Sequence, residues 1–163
     1  MTINKLIFFA ILIGFFIASL PVPKGLMYFK PDLVILTVLY WVIAIPGKKH
    51  FIVLFFIGFL LDVLSSYPLG INGFGIILLS YILAKIRNKF LTTSIWRQGL
   101  TIARLVVLQK IILLIYAIVY IDVVKRNEIL IIIFCGFFIN YISWIWLRLI
   151  LDKYLLKITE LQK

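Results

Sequence analysis

The chain has 163 residues, of which 64% are hydrophobic and only 14% are charged. A water-soluble domain has too little interior to hide that share of apolar side chains, so the composition excludes one and indicates a protein surrounded by lipid. The formal net charge of +11 does not indicate nucleic-acid binding, because the 17 Lys and Arg residues are dispersed among the polar breaks of the chain.

Continuous apolar runs separated by short polar breaks predict transmembrane helices. Lipid cannot satisfy backbone N–H and C=O groups, and runs without a two-residue alternation exclude a closed barrel. We therefore predict an all-helical membrane protein, with residues 1–163 forming a single transmembrane domain. Its six predicted spans are residues 6–20, 31–45, 51–64, 71–84, 100–121 and 129–149.

Several of these spans are short for a membrane helix. A helix of about 15 residues covers roughly 22 Å, less than the ~30 Å hydrocarbon core. Apolar flanks, a locally thinned bilayer and re-entrant entry are three ways to accommodate them. Prolines mark both ends of the second span: its helix is expected to begin at Pro31 and to end at Pro46-Gly47.

The first apolar run, residues 6–20, is interpreted as a retained span rather than a signal peptide, because no small-x-small cleavage site precedes Pro21.

The distribution of basic residues predicts the orientation. Eleven Lys and Arg residues lie on the side of the N-terminus, namely Lys5, Lys48, Lys49, Lys85, Arg87, Lys89, Arg97, Arg148, Lys153, Lys157 and Lys163. Four lie on the other side, namely Lys24, Lys30, Lys125 and Arg126. Positive residues stay cytoplasmic, so both termini are predicted in the cytoplasm of a bacterial cell.

The polar segment Lys85–Gly99 has two interpretations. It carries apolar residues among its cations and is suited to lie flat on a membrane surface, attracted to anionic lipid. It equally fits an ordinary charged loop.

Four of the charged residues within or beside the predicted spans call for a partner or a specific position. Arg104 lies close enough to the cytoplasmic end of its span for its side chain to reach water, whereas Lys110 lies deep in the same span and needs a partner. Asp62 lies near the far end of the third span and is expected either to pair structurally or to serve a binding role. Asp32 directly follows Pro31 and is suited to the positive end of a helix dipole.

Residues for catalysis or metal binding are mostly missing. The single histidine, His50, is predicted in a loop, and Asp62 is the only acidic residue within an apolar run. Neither a serine–histidine arrangement nor a pair of intramembrane aspartates is available for hydrolysis. We expect no enzyme activity, no cofactor and no metal, and we expect Cys135 to be a packing residue.

The second to fourth spans resemble a known family. The segment Lys30–Pro46 (KPDLVILTVLYWVIAIP) with its Pro31, Asp32, Tyr40, Trp41 and Pro46, followed by GFLLDVLS around Asp62 and by Pro68-Leu69-Gly70, resembles the bacterial rod shape-determining protein MreD family. A fainter similarity surrounds Trp96, and Lys110 has no evident place in the family pattern.

The resemblance implies a non-enzymatic scaffold or regulator of the rod complex (elongasome) of the inner membrane. The implied partners are MreC, the MreB filament, and the RodA glycosyltransferase with its penicillin-binding transpeptidase. The implied fold is similar to the six-helix S component of energy-coupling-factor transporters. That similarity supplies an alternative function, a membrane subunit that binds a vitamin-like small molecule, although fold alone does not establish it.

The depths of Asp62 and Lys110 along their predicted spans suggest that the two residues form an ion pair. Counted from Phe51 and Leu100, they lie about 16 and 15 Å deep, so they would meet if the third and fifth spans adjoin. The competing hypothesis is that Asp62 binds backbone N–H groups near Pro68–Gly70 while Lys110 reaches a polar cavity or a partner protein.

The topology predicts accessibility. With Cys135 replaced by serine, a cysteine at Lys125 should react with an impermeant thiol reagent added outside the cell, and a cysteine at Lys89 should not. The reverse labelling pattern would contradict the orientation.

Overall fold

The structure is a computed structural model that describes residues 3–23, 29–45, 51–65, 67–120 and 126–160. Within these ranges the regular elements are all α-helices, which confirms the all-helical prediction. They are α1 (Ile3–Ser19), α2 (Leu33–Ala44), α3 (Phe51–Ser65), α4 (Ile71–Thr92), α5 (Ile95–Tyr120) and α6 (Arg126–Glu160). Several residues named above lie outside the described ranges, namely Lys24, Pro46, Gly47, Lys48, Lys49, His50, Lys125 and Lys163.

Each predicted span overlaps one helix, but the interpretation of the polar segment Lys85–Gly99 as a loop was wrong. Most of the segment is helical, because α4 continues to Thr92 and α5 begins at Ile95. Its location on a membrane surface stays a prediction. No proline or glycine interrupts residues 76–98, and residues 84–91 are compatible with a helix, so nothing stops α4 at the end of its apolar run.

The tight turn between α4 and α5 is fixed by side chains. Gln98 is buried, and its Nε2 donates to the carbonyls of Phe90 at 3.0 Å and Thr93 at 2.8 Å. The hydroxyl of Thr93 also donates to the Phe90 carbonyl, at 2.8 Å. These bonds satisfy carbonyls that the last turn of α4 leaves without a helical partner, so the chain reverses over two residues.

Helix α2 is the centre of the bundle. Residues 34–40 are all buried, and α2 packs against α1, α4 and α6. A helix that is apolar on every face is stable only when it is surrounded, which agrees with the composition of this segment. With 12 residues α2 is only about 18 Å long, so both of its ends lie within reach of the longer helices around it.

Helices α3 and α4 approach each other through glycine. A Cβ atom built on Gly58 would lie 2.4 Å from the Cα of Gly73, so the two backbones are in direct contact there. Close helix contacts of this kind are typical of membrane proteins, where small residues let neighbouring helices interlock.

The outside of the bundle is apolar. Large side chains such as Phe16, Phe134 and Trp146 are exposed, and such a surface requires lipid around it. Two helical segments are long and apolar enough to cross a membrane, Ile95–Tyr116 in α5 and Ile129–Tyr154 in α6. Helices α1, α2 and α3 are apolar but shorter, so the number of spans stays a prediction.

Candidate functional site

The beginning of α2 is bound to α6 by a reciprocal pair of hydrogen bonds. Asp32 is the residue immediately before α2, and its backbone N–H donates to Oδ1 of Asn140 at 2.9 Å. In return, Nδ2 of Asn140 donates to Oδ2 of Asp32 at 2.8 Å. The side chain of Asn140 is buried, and its amide bonds both a backbone donor and a carboxylate oxygen at this helix end.

Lys110 neutralises the same carboxylate. Its Nζ lies 2.8 Å from Oδ2 of Asp32, and the two side chains are 21% and 27% exposed. The stem of Lys110 passes over Gly136 of α6, where a Cβ atom would lie 2.9 Å from Cε of the lysine. The ion pair offsets part of the cost of placing two charges in an apolar bundle.

The predicted ion pair between Asp62 and Lys110 is therefore wrong. The depths were counted from Leu100, but α5 begins at Ile95, so Lys110 lies farther along its helix than assumed. Helix α5 also packs mainly against α4 and α6 rather than against α3. Depth along the helices alone could not identify Asp32 as the partner of Lys110.

Asp62 binds the beginning of α4, as the competing hypothesis expected. The carboxylate is fully buried, and it accepts hydrogen bonds from the backbone N–H groups of Gly70 at 2.7 Å and Asn72 at 3.0 Å. The Nδ2 of Asn72 donates a third bond, at 2.8 Å. Three donors and the positive end of a helix dipole stabilise a buried carboxylate without requiring a cation.

Gly70 is required by this geometry. Its φ angle of 102° lies in the left-handed region that side chains disfavour, and its N–H points at Asp62. Pro68 precedes it in the turn, where its carbonyl accepts from the N–H of Ile71 at 3.4 Å. The motif residues Asp62, Pro68 and Gly70 thus form one connection between α3 and α4.

Gln109 extends the Asp62 cluster to α5. Its Nε2 donates to Oδ1 of Asn72 at 3.0 Å, and both amides are buried. A Cβ atom on Gly75 would lie 1.9 Å from Oε1 of Gln109, so glycine at this position provides the space for the amide. Because consecutive helical residues point about 100° apart, Gln109 faces α4 while Lys110 faces α2 and α6. We call the two connected clusters the polar network: Asp32, Asp62, Asn72, Gln109, Lys110 and Asn140.

The other end of α2 is held by a separate group of polar side chains. The hydroxyl of Tyr40 donates to Oδ1 of Asp152 at 2.6 Å, and Nε of Arg148 lies 3.1 Å from Oδ2 of the same carboxylate. From α4, Nε of Arg87 donates to the carbonyl of Ile43 at 2.8 Å. Asp32 and Tyr40 therefore lie at opposite ends of one buried helix and do not share a site.

The remaining predicted site residues have different surroundings. Pro31 is half-buried and lies two residues before α2 rather than opening it, because Asp32 intervenes as the residue at the helix start. Trp41 is half-buried in the last turns of α2, Arg104 is exposed on α5, and Pro46 lies outside the described residues.

No contact was predicted from the sequence for Gln109, Asn140 or Asn72. An amide within an apolar run is the signal that identifies all three.

The described residues contain no group of three or more His, Cys, Asp or Glu side chains that converge as metal ligands. In the polar network, each carboxylate is bound by donors of the chain itself. This arrangement holds helices together, since both carboxylates are bonded within the protein.

The fold and the polar network define a class of protein, an all-helical membrane protein in which charges and amides anchor a short central helix. A family model described as rod shape-determining protein MreD matches residues 1–154. The rod shape-determining protein MreD of Haemophilus influenzae is 29% identical over 142 residues, which cover 86% of this chain and 85% of that relative. The chain therefore belongs to the MreD family of rod shape-determining membrane proteins. No solved structure matches the chain, so the similarity to the S component fold stays a prediction.

A double-mutant cycle tests the ion pair. Asp32→Asn and Lys110→Met should each lower the free energy of unfolding in detergent by roughly 3 kcal/mol, because each leaves the other charge without its partner. The double variant should recover part of the loss, with a coupling energy of about 0.5–3 kcal/mol.

The matched control cycle combines Asp62→Asn with Lys110→Met. These residues share no bonding partner, so their effects should add to within about 0.5 kcal/mol. Additive losses in the Asp32 cycle, or strong coupling in the Asp62 cycle, would contradict the assigned pairing.

Proposed function

We propose that the chain is a non-enzymatic scaffold or regulator of the rod complex, crossing the inner membrane six times with both termini in the cytoplasm. Its proposed partners are an MreC-like protein, the MreB filament, directly or indirectly, and a RodA-like glycosyltransferase with its penicillin-binding transpeptidase. The single observation that carries the proposal is the family match over residues 1–154.

The use of the polar groups supports a structural role. Asp62 and Asn72 are buried in a cluster that is bonded within itself, and Asp32 and Lys110 neutralise each other. A binding subunit for a small molecule would instead direct polar groups into a cavity. Three hollows of about 200, 490 and 440 Å³ lie elsewhere, and none is lined by a residue of the polar network.

The apolar exterior supports association within the membrane. Little of the apolar segment Ile129–Tyr154 of α6 is buried inside the bundle, and α1 also exposes large side chains. In a bilayer these faces contact lipid or the helices of other membrane proteins. The vitamin-binding alternative requires polar groups directed at a ligand, whereas the polar side chains that line the hollow of about 200 Å³, Tyr40, Arg87, Arg148 and Asp152, make bonds within the chain.

Deletion of the gene from a rod-shaped host should produce round cells without changing vitamin uptake. The wild-type chain should restore rods, and Asp32→Asn should restore them less well at equal membrane level, because the beginning of α2 loses its ionic anchor. The control Lys153→Gln changes an exposed residue of α6 and should complement fully. Cell width and length measured by microscopy are the readout.

Normal rods in a clean deletion strain without a second gene copy would contradict the proposed role. Detergent co-purification from native membranes separates the functional hypotheses further. Recovery of the cell-wall synthases with the tagged chain supports the rod complex, and recovery of a transporter's ATPase subunits supports the alternative.

A further inference from the structure

A basic groove runs between the last turns of α4 and the first turns of α5. Its volume is about 490 Å³, and three cations line it: Lys89 from α4, with Arg97 and Arg104 from α5. Its apolar wall includes Ile86, Phe90 and Leu100. We refer to these six residues as the basic groove.

The helix geometry sets the shape of the basic groove. Arg97 and Arg104 are seven residues apart on α5, so they lie on one face two turns apart, and Lys89 faces them from α4. The buried Gln98, which binds the carbonyls of Phe90 and Thr93, fixes the turn at the end of the groove. The cations are thus presented by a defined helix pair rather than by a loop.

None of the carboxylates whose side chains the structure describes pairs with these three cations. The whole α4–α5 pair, Ile71–Tyr120, contains no acidic residue. The three carboxylates whose side chains the structure describes are occupied elsewhere: Asp32 pairs with Lys110, Asp62 binds the beginning of α4, and Asp152 pairs with Arg148. Lys89, Arg97 and Arg104 therefore form a concentrated positive charge that is open to an anion from outside the protein.

The position and lining of the basic groove favour a lipid over a soluble anion. From Ile95 to Arg104, α5 rises by about 13 Å, enough to extend through a headgroup layer and into the acyl region. Arginine and lysine at this depth extend their charged ends toward the interface while their stems remain in apolar surroundings. Ile86, Leu100 and the apolar exterior of the bundle would contact an acyl chain.

We propose that the basic groove binds an anionic phospholipid, with its phosphate between Lys89, Arg97 and Arg104 and an acyl chain along Ile86 and Leu100. This site is independent of the proposed role in the rod complex, and it assigns a function to the exposed intramembrane cation Arg104. Anionic headgroups are attracted to clustered basic residues at a membrane surface, and each such residue adds to the affinity.

Native mass spectrometry of the full chain in detergent tests the proposal, with phosphatidylglycerol, phosphatidylcholine and inorganic phosphate as probes. The triple variant Lys89→Gln/Arg97→Gln/Arg104→Gln should bind phosphatidylglycerol about tenfold more weakly than the wild type. The matched control Lys5→Gln/Lys85→Gln/Lys153→Gln removes the same charge from exposed residues outside the groove and should bind like the wild type. Phosphatidylcholine should bind weakly to all three proteins.

A photoactivatable phosphatidylglycerol provides a test that needs no variant. In the wild-type chain, cross-linked peptides should map to residues 86–104. Equal binding of phosphatidylglycerol by the triple variant and the wild type would overturn the proposal, as would cross-links confined to other helices. If millimolar inorganic phosphate displaced the bound lipid as effectively as added phosphatidylglycerol does, the groove would be a site for a soluble anion. If the groove residues were needed to bind a protein while no lipid bound, the groove would be a protein-docking site. Either result would reject the proposed lipid site.

Discussion

The structure depends on one constraint: the polar groups at both ends of the short, buried helix α2 are bonded by side chains of the surrounding helices. The first N–H and last C=O groups of any helix lack intrahelical partners, and each such group left unbonded in an apolar environment costs several kcal/mol. At the N-terminal end Asn140 and Lys110 bind Asp32, and at the C-terminal end Arg87 binds the carbonyl of Ile43. The surrounding helices α4, α5 and α6 each contribute polar side chains to this requirement, which explains why charges occur inside an otherwise apolar bundle.

Helix α5 links this anchor to the connection between α3 and α4. Gln109 reaches the cluster around Asp62 while the next residue, Lys110, reaches Asp32. A displacement of α5 would therefore strain both clusters together. Lys110 pairs with Asp32, and N–H donors of the chain bind Asp62, so the network gives the helices one defined arrangement. The proposed scaffold role requires such a fixed interior, and the apolar surfaces of α1 and α6 remain outside it.

The sequence predicted the helices well, because apolar runs in lipid have few alternatives to a helix. It predicted the surroundings of Asp62 as one of two hypotheses, since Gly70 follows at a distance suited to a local contact. It did not predict the partner of Lys110, because spacing along single helices does not reveal which helices adjoin. The interpretation of Lys85–Gly99 as a loop was wrong because polar residues were taken to end a helix. Only Thr93 and Ser94 separate α4 from α5. Asn72 escaped notice as a single amide beside several glycines.

The anchoring of α2 by Lys110 is the central claim, and a solid-state NMR distance in lipid bilayers tests it most directly. With nitrogen-15 at lysine Nζ and carbon-13 at aspartate Cγ, dipolar dephasing should report a pair within about 4 Å, the range of a direct ion pair. The signal should vanish in Lys110→Met and in Asp32→Asn but persist in Asp62→Asn. Dephasing that survives Asp32→Asn and disappears in Asp62→Asn, or no lysine–aspartate contact below about 6 Å in the wild type, would contradict the account.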